Sequence, residues 1–434
     1  MEKKGFPGPI GRNLIADAEF YYVRNTQGSR ICIEKRNGTI VTDYDGFHFI
    51  DLHCDASVNN LGGNHPAIMR AIDEQQRTGN IFSESHNAPN RTMVELAKKL
   101  IEKSPVPKPA RVYMSNSGAE ANEAAIKMCR AYRYIKGEYW RKKALYFTNA
   151  FHGRTLGILP GTNSKPEVQR DPFMTHCDEE NTIYLPYPKA GTNLDPEETY
   201  ATAIEAVDWM EINRLVIELP CQGEGGIIPA DENVVKWLYD FTRRTGIIFI
   251  VDDIQCGMGR TGTLLGCDRY KWLEPDILTL GKALGGGIPI GVTICRAELD
   301  FAKQGMHSST FGGGPLASRL GLVLLAEIEQ LISDGTVERL RLALSLRLQQ
   351  IQRKFPKIIL ETRGVGAMWA HEIVTAELRD AVQKKGEDLV NTECYGLRLL
   401  GAGRKAIRFM PPLNINHSLL NYALNLYEKV LSSL

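Results

Sequence analysis

Two patterns of apolar residues alternate along most of this chain. Short unbroken runs rich in branched residues occupy positions 144–147, 215–219, 247–251 and 276–280. They lack polar alternation, which predicts strands buried on both faces. Between them, apolar residues return every three or four positions across 66–77, 90–102, 119–135 and 234–244, which predicts helices. Asn90 is placed to cap the second helix, and Ala125, Met128, Tyr132 and Ile135 fall on one face of the third. A further short strand is expected at 111–114. Strands alternating with helices in this way predict an α/β fold with a mostly parallel sheet covered on both sides.

The two ends of the chain read differently. Residues 31–33 and 39–41 flank Asn37-Gly38, a hairpin signal repeated at Asp45-Gly46, so the N-terminal region is expected to be an extended arm with strands. Residues 51–66 are polar, glycine-bearing and loop-like. After Pro315 come long helical patterns at 316–332 and 336–355, strand patterns at 358–361, 367–372 and 406–409, and a last helix at 416–431. The expected division is therefore an arm and part of a small domain at 1–65, a large domain at 66–315 and a C-terminal small domain at 316–434.

Composition narrows the class. Of 434 residues 43% are hydrophobic and 24% charged, ordinary values for a globular protein. A net charge of +1 gives no field to gather nucleic acid, and no apolar run approaches a membrane span. Nine scattered cysteines without CxxC spacing read as free thiols of a cytoplasmic protein, and the nine histidines form no metal-ligand pattern.

Candidate chemistry gathers at the ends of the runs. Lys282 follows the 276–280 strand and precedes Gly285-Gly286-Gly287. A partly desolvated lysine there is a usable amine nucleophile that can hold an aldehyde cofactor as a Schiff base; it also suits a plain glycine-rich surface loop. Ser117-Gly118-Ala119 lies between a strand and a helix, where free N–H groups bind phosphate or simply cap the helix. Phe151, His152 and Arg154 follow the 144–147 strand. Phe151 could stack on a flat ring and Arg154 grip a carboxylate, or they are a buried aromatic and a solvated cation. Asp252 and Asp253 end the 247–251 strand, where a buried carboxylate needs a cation such as a protonated pyridine nitrogen. The glycines at 257, 259 and 262 match GxGxxG literally, yet the acids precede them and no helix opens behind, so a dinucleotide fingerprint is rejected. Ser309 to Gly314 offers a hydroxyl and backbone amides, and Arg408 interrupts an apolar strand, where ion pairing is the commoner role.

Taken in order, SGAEANEAAIK, FHGRT, QGEGG, the strand-end Asp with Gln255 before GRTG, TLGKALGGG, TFGGGPLA and IRFMPPL resemble the class III pyridoxal-phosphate aminotransferases over about residues 31–431. The resemblance implies the fold-type-I architecture of that family, with the cofactor pyridoxal 5'-phosphate. It also implies roles. Lys282 would hold the cofactor aldehyde and move the proton at the substrate Cα. Asp252 would keep the ring nitrogen protonated, Gln255 would bond the phenolic oxygen, and Phe151, next to His152, would stack on the ring. Gly118 and Ala119, after Ser117, would bind the phosphate together with Thr310 from a neighbouring subunit, placing active sites at a homodimer interface. Arg408 would hold the α-carboxylate, Glu224 would neutralise Arg408 when an amine-bearing end arrives, and Arg154 would bind a substrate carboxylate. Two departures stand out: Asp253 replaces the family's usual Glu, and Asp55-Ala56 lies where small residues are common.

The expected reaction is transfer of an amino group from an ω-amine donor to 2-oxoglutarate, with 4-aminobutyrate leading and ornithine-like diamines next. A racemase or epimerase of the same family is the alternative. A binding or regulatory protein on this fold is disfavoured by the presence of both Lys282 and Asp252.

Overall fold

The computed structural model describes residues 5–23, 29–83, 88–192, 195–201, 203 and 206–434; positions 1–4 and 24–28 of the expected N-terminal arm lie outside them. A seven-stranded sheet forms the centre, in the order Ala110–Ser115, Gly291–Arg296, Ile277–Leu280, Ile248–Asp252, Ile212–Glu218, Lys143–Phe147, Thr182–Leu185. Gly291–Arg296 runs antiparallel to both neighbours, and the other six strands share one direction.

Successive side chains of these strands enter two separate cores. Tyr146, Val216, Ile250 and Ile277 pack with Ala125, Met128 and Cys129 of the helix Gly118–Ile135. Phe147, Leu215, Ile217, Phe249 and Leu278 point to the other face, toward Val235 and Leu238 of helix Glu232–Thr245 and Leu324 of helix Pro315–Ser333. Neither face of the central strands Ile212–Glu218, Ile248–Asp252 and Ile277–Leu280 meets water, so these strands carry no polar alternation. Each such large side chain contributes roughly 1.5–3 kcal/mol relative to exposure.

Two smaller sheets flank this centre. Ile33–Asn37, Ile40–Asp43 and His48–Asp51 form an antiparallel meander, and Gly396–Arg398 adds parallel to His48–Asp51, so opposite ends of the chain share one sheet. Ile359–Val365, Met368–Ile373, Ala406–Phe409 and Leu400–Ala402 make an antiparallel sheet. The helices Thr336–Lys354 and His417–Ser432 pack through Leu348 and Tyr427 around His371 of the second strand, whose ring lies 3.1 Å from both the Leu348 carbonyl and the Tyr427 hydroxyl.

Several elements depart from the pattern. The arm opens with a helix, Pro9–Tyr21, in which only Gly11 is buried, so no apolar stripe announces it. Ile135 is 54% exposed at the end of its helix, past the turn that meets the sheet. The strands Thr182–Leu185, Gly291–Arg296, Gly396–Arg398 and Leu400–Ala402 were not expected; the first is a half-buried sheet edge and the second begins at a glycine. The loop after Asp51 contains a left-handed turn. Cys54, Asp55, Ala56 and Ser57 have φ of 50°, 51°, 56° and 75°, and none of them is glycine.

Candidate active site

Parallel strands present their C-terminal ends at one edge of the sheet, and there the chain places its chemistry. Glu218 and Asp252 end their strands, Lys282 follows Leu280 by two residues, and the helix Gly118–Ile135 starts beside them. A cavity of about 300 Å³ lies between these ends, lined among others by Gly118, Ala119, Phe151, Gln255 and Lys282.

Asp252 is 4% exposed and held from three sides. Asn122 donates to its Oδ2 at 2.8 Å, His152 Nδ1 lies 2.7 Å from the same oxygen, and the Ile254 N–H donates to Oδ1 at 3.1 Å. Asn122 is itself fixed, accepting from Thr279 and donating to the His152 carbonyl. One carboxylate in the cavity wall thus has its orientation set by four residues. His152 lies behind Asp252 with its Nε2 buried and without a partner among the described residues.

Lys282 stands opposite, half-buried, on a backbone at φ 45°. A non-glycine residue held there is strained by about 1–3 kcal/mol, and such strain collects at functional positions. No described residue hydrogen-bonds its amine. Burial lowers its pKa, with Arg408 acting in the same direction and Glu224 opposing. That favours the neutral amine.

Beyond Lys282 sits a tight ion pair. Arg408 Nη1 and Nη2 donate to Glu224 Oε1 and Oε2 at 2.6 and 2.7 Å, and Arg408 also donates to the Gly401 carbonyl. Glu224 lines the cavity while Arg408, 1% exposed, does not, so the carboxylate stands between the cavity and the guanidinium. Burial pushes the Glu224 carboxyl up, and Arg408 more than reverses this, holding it far below the usual range. Gln255 donates to Glu224 at 3.3 Å and to the Ala56 carbonyl at 3.2 Å, while its Oε1 is buried without a partner among the described residues.

The remaining residues divide. Phe151 lines the cavity under Arg154, whose guanidinium carbon is 5.7 Å from the ring centre. Arg154 is exposed, and among the described residues no carboxylate pairs with it. Gly118 and Ala119 form the helix start in the cavity wall, and Ser117 caps that helix through the Glu120 N–H at 3.2 Å. Thr310 is exposed and lies outside the cavity of its own chain. Asp253 turns away, 1% exposed, accepting the Gly266 N–H. Asp55 adds no free charge at the cavity, because Arg36 and Arg398 pair with it at 2.7 and 2.6 Å.

Sequence reasoning missed two residues. Glu218 lines the cavity and accepts the N–H groups of Phe151 and Gly223, both at 3.1 Å. Burial raises its carboxyl to about 7, with His152 opposing and Asp252 adding to the rise. Its signal was present, an acid at the end of an apolar run, as at Asp252. Asn122 had none beyond a polar residue among alanines.

A strand-end lysine and a strand-end acid on opposite sides of a cavity at a helix start are an arrangement with known relatives. The family model for class-III aminotransferases matches residues 21–431. The chain belongs to this family. It is similar to the acetylornithine aminotransferase of Clostridium acetobutylicum, at 32% identity over 94% of this chain and 98% of that one. The acetylornithine aminotransferase of Caldanaerobacter subterraneus is 34% identical over 93% and 95%. Among solved structures, an ornithine aminotransferase from Toxoplasma gondii with partly occupied PLP matches at TM-score 0.82 and 26% identity, covering 97% of this chain and 94% of that one. N-acetylornithine aminotransferase from Stenotrophomonas maltophilia matches at 0.76 and 28%, covering 96% and 98%. This class-III aminotransferase is a pyridoxal-phosphate enzyme of fold type I.

The cavity suits that cofactor. It offers an amine without a hydrogen-bond partner, a fixed carboxylate, a helix start and the unpartnered Oε1 of Gln255. At Gly118 a Cβ would meet the Ile254 side chain at 2.7 Å, so glycine lets Ile254 pack directly against the helix start.

Proposed function

We propose that the enzyme moves the ω-amino group of an ornithine-type donor, ornithine or its Nα-acetylated form, to 2-oxoglutarate. The observation that carries this reading is the Glu224–Arg408 pair beside Lys282. The names of the relatives support ornithine-type donors, which places 4-aminobutyrate second.

Lys282 would hold the cofactor aldehyde, Asp252 the ring nitrogen, Gln255 the phenolic oxygen, Phe151 the ring face, and Gly118 with Ala119 the phosphate. Bound pyridoxal phosphate would supply an electron sink for the substrate carbon that bears the transferred amino group, the ω carbon of the donor and Cα of glutamate. Asp252 would keep the ring nitrogen protonated, with His152 and Asn122 keeping its carboxylate aimed. Lys282, with its pKa lowered by burial, would take the proton from the carbon that bears the amino group and deliver it to the cofactor's aldehyde carbon. An ω-amine brings no carboxylate to Arg408, so Glu224 stays in place and compensates a buried cation. Glutamate and 2-oxoglutarate carry a second carboxylate, so Glu224 gives way and Arg408 grips the substrate bidentately. Arg154, unpaired and exposed, is free for the distal carboxylate. Thr310, outside its own cavity, supports a homodimer in which it reaches the second copy's phosphate site. We read the enzyme as cytoplasmic.

Single-turnover spectra of the two half-reactions test the pair. Glu224→Gln should slow the half-reaction with ornithine or N-acetylornithine and spare that with glutamate. Arg408→Ala should hurt glutamate most, by roughly 2–5 kcal/mol. Equal slowing of both halves by Glu224→Gln would overturn the donor assignment, and racemised donor without glutamate formation would overturn the transaminase reading.

A further inference from the structure

A second cavity, of about 370 Å³, lies at the opposite edge of the central sheet, where Ile212–Glu218 begins. It shares no lining residue with the active-site cavity. Arg214 in its wall and Glu218 in the other are four residues apart on one strand, roughly 13 Å. The wall carries five cations, Arg130, Arg133, Arg141, Lys142 and Arg214, against two carboxylates, Glu138 and Asp178.

Two of the arginines have structural work. Arg133 pairs with Glu138 at 2.5 Å and donates to the Gly246 carbonyl. Arg141 donates to the carbonyls of Ile212 and Thr245 at 3.0 and 3.2 Å. Arg214 is different. It is 4% exposed, and its one hydrogen bond runs from Nη2 to the Tyr146 hydroxyl at 3.3 Å. Among the described residues Nε and Nη1 are buried without a partner, and no carboxylate pairs with the side chain. The Tyr146 ring at 6.0 Å is weak compensation for a buried charge. Arg130, exposed on the neighbouring helix, lines the same cavity and adds a second cation beside Arg214.

We propose that this cavity binds a small anionic metabolite through a phosphate or carboxylate group, with Arg214 as its anchor and Arg130 at its rim. A guanidinium fork matches either oxyanion in bidentate fashion. The volume takes a molecule larger than a bare ion. Nothing in the amino-transfer reaction uses these residues.

The test uses the cofactor-saturated enzyme, so that anions cannot enter the phosphate site of the active centre. Pyrophosphate and citrate, titrated calorimetrically at low salt, probe the two oxyanion chemistries. Saturable binding of one probe per chain is expected, with Kd below about 1 mM. Arg130→Ala should weaken it about tenfold and leave transamination unchanged, and Arg214→Met should abolish it. Without probe, Arg214→Met should melt no lower than the wild type, because it removes an unpaired buried charge; with probe, only the wild type should gain melting temperature. If Arg214→Met does not fold, Arg130→Ala decides alone. Binding that ignores both substitutions, or that fails to saturate with either probe, would overturn the site.

Discussion

Asp252 and Asp253 are adjacent, yet only the first faces the cavity, and three donors fix it there. Burial pushes the Asp253 carboxyl well above its usual range despite the Gly266 N–H, with Asp268 and Asp252 adding to the rise. That favours the protonated acid at Asp253, for which asparagine is a close isostere. Asp253→Asn is expected to keep near wild-type kcat, whereas Asp252→Asn should lose on the order of a hundredfold or more, since an amide cannot stabilise a charged ring nitrogen. Steady-state rates of the two variants side by side check this. Glu218 yields a pH prediction. Its folded pKa, about 7, exceeds the unfolded value, so its contribution is fully present below about 4.5 and is lost as pH rises through 7. Urea midpoints of cofactor-free Glu218→Gln and wild type should therefore diverge in the variant's favour between pH 5 and 8, by at most about 3 kcal/mol. A constant difference across that window would remove Glu218 as the titrating group. The carboxylate rule that revealed Asp252 in the sequence applied equally to Glu218. Asn122 stayed hidden because its partners, Thr279 and His152, are brought to it only by folding.

At the level of elements, legibility followed locality. The helix Pro66–Arg77 and the cap at Asn90 were readable because spacing and caps are written within a dozen residues. The strands Thr182–Leu185 and Gly396–Arg398 were not, since their partners lie far away in the chain and their own patterns are short. The left-handed turn at 54–57 left no mark at all, because the chain uses no glycine there. Tertiary contacts hold it: Arg36 and Arg398 grip Asp55, and Ser57 donates to Asn60. Its Ala56 carbonyl in turn accepts from Gln255 of the active site. A β-branched residue tolerates φ 56° poorly, so Ala56→Val should cost about 2 kcal/mol or more in thermal unfolding. Because the turn positions Gln255, cofactor affinity should fall with it.

The whole molecule is tied by a residue the sequence left in a glycine-rich loop. Arg260, fully buried, donates to Ser57 and Asn60 of the N-terminal loop, to the Ala367 carbonyl beside the antiparallel sheet and to the Pro411 carbonyl. Three distant parts of the chain thus meet on one guanidinium. Arg260→Ala should cost roughly 3–5 kcal/mol in urea unfolding and raise the m-value only if cooperativity changes. Loss of under about 1 kcal/mol would show that the parts hold together without it.

The Glu224–Arg408 pair spans the same division, with the acid after a central strand and the base on the antiparallel sheet. If Arg408 receives a substrate carboxylate as proposed, Glu224 acts as an inhibitor that the enzyme carries on a tether. Under the proposed switch, a dicarboxylate substrate would have to displace a competitor whose local concentration is fixed by the fold and cannot be diluted. On the proposed reading, the affinity for 2-oxoglutarate would be a difference between two carboxylates for one guanidinium, and it could be tuned through the tether, without altering a single contact to the substrate.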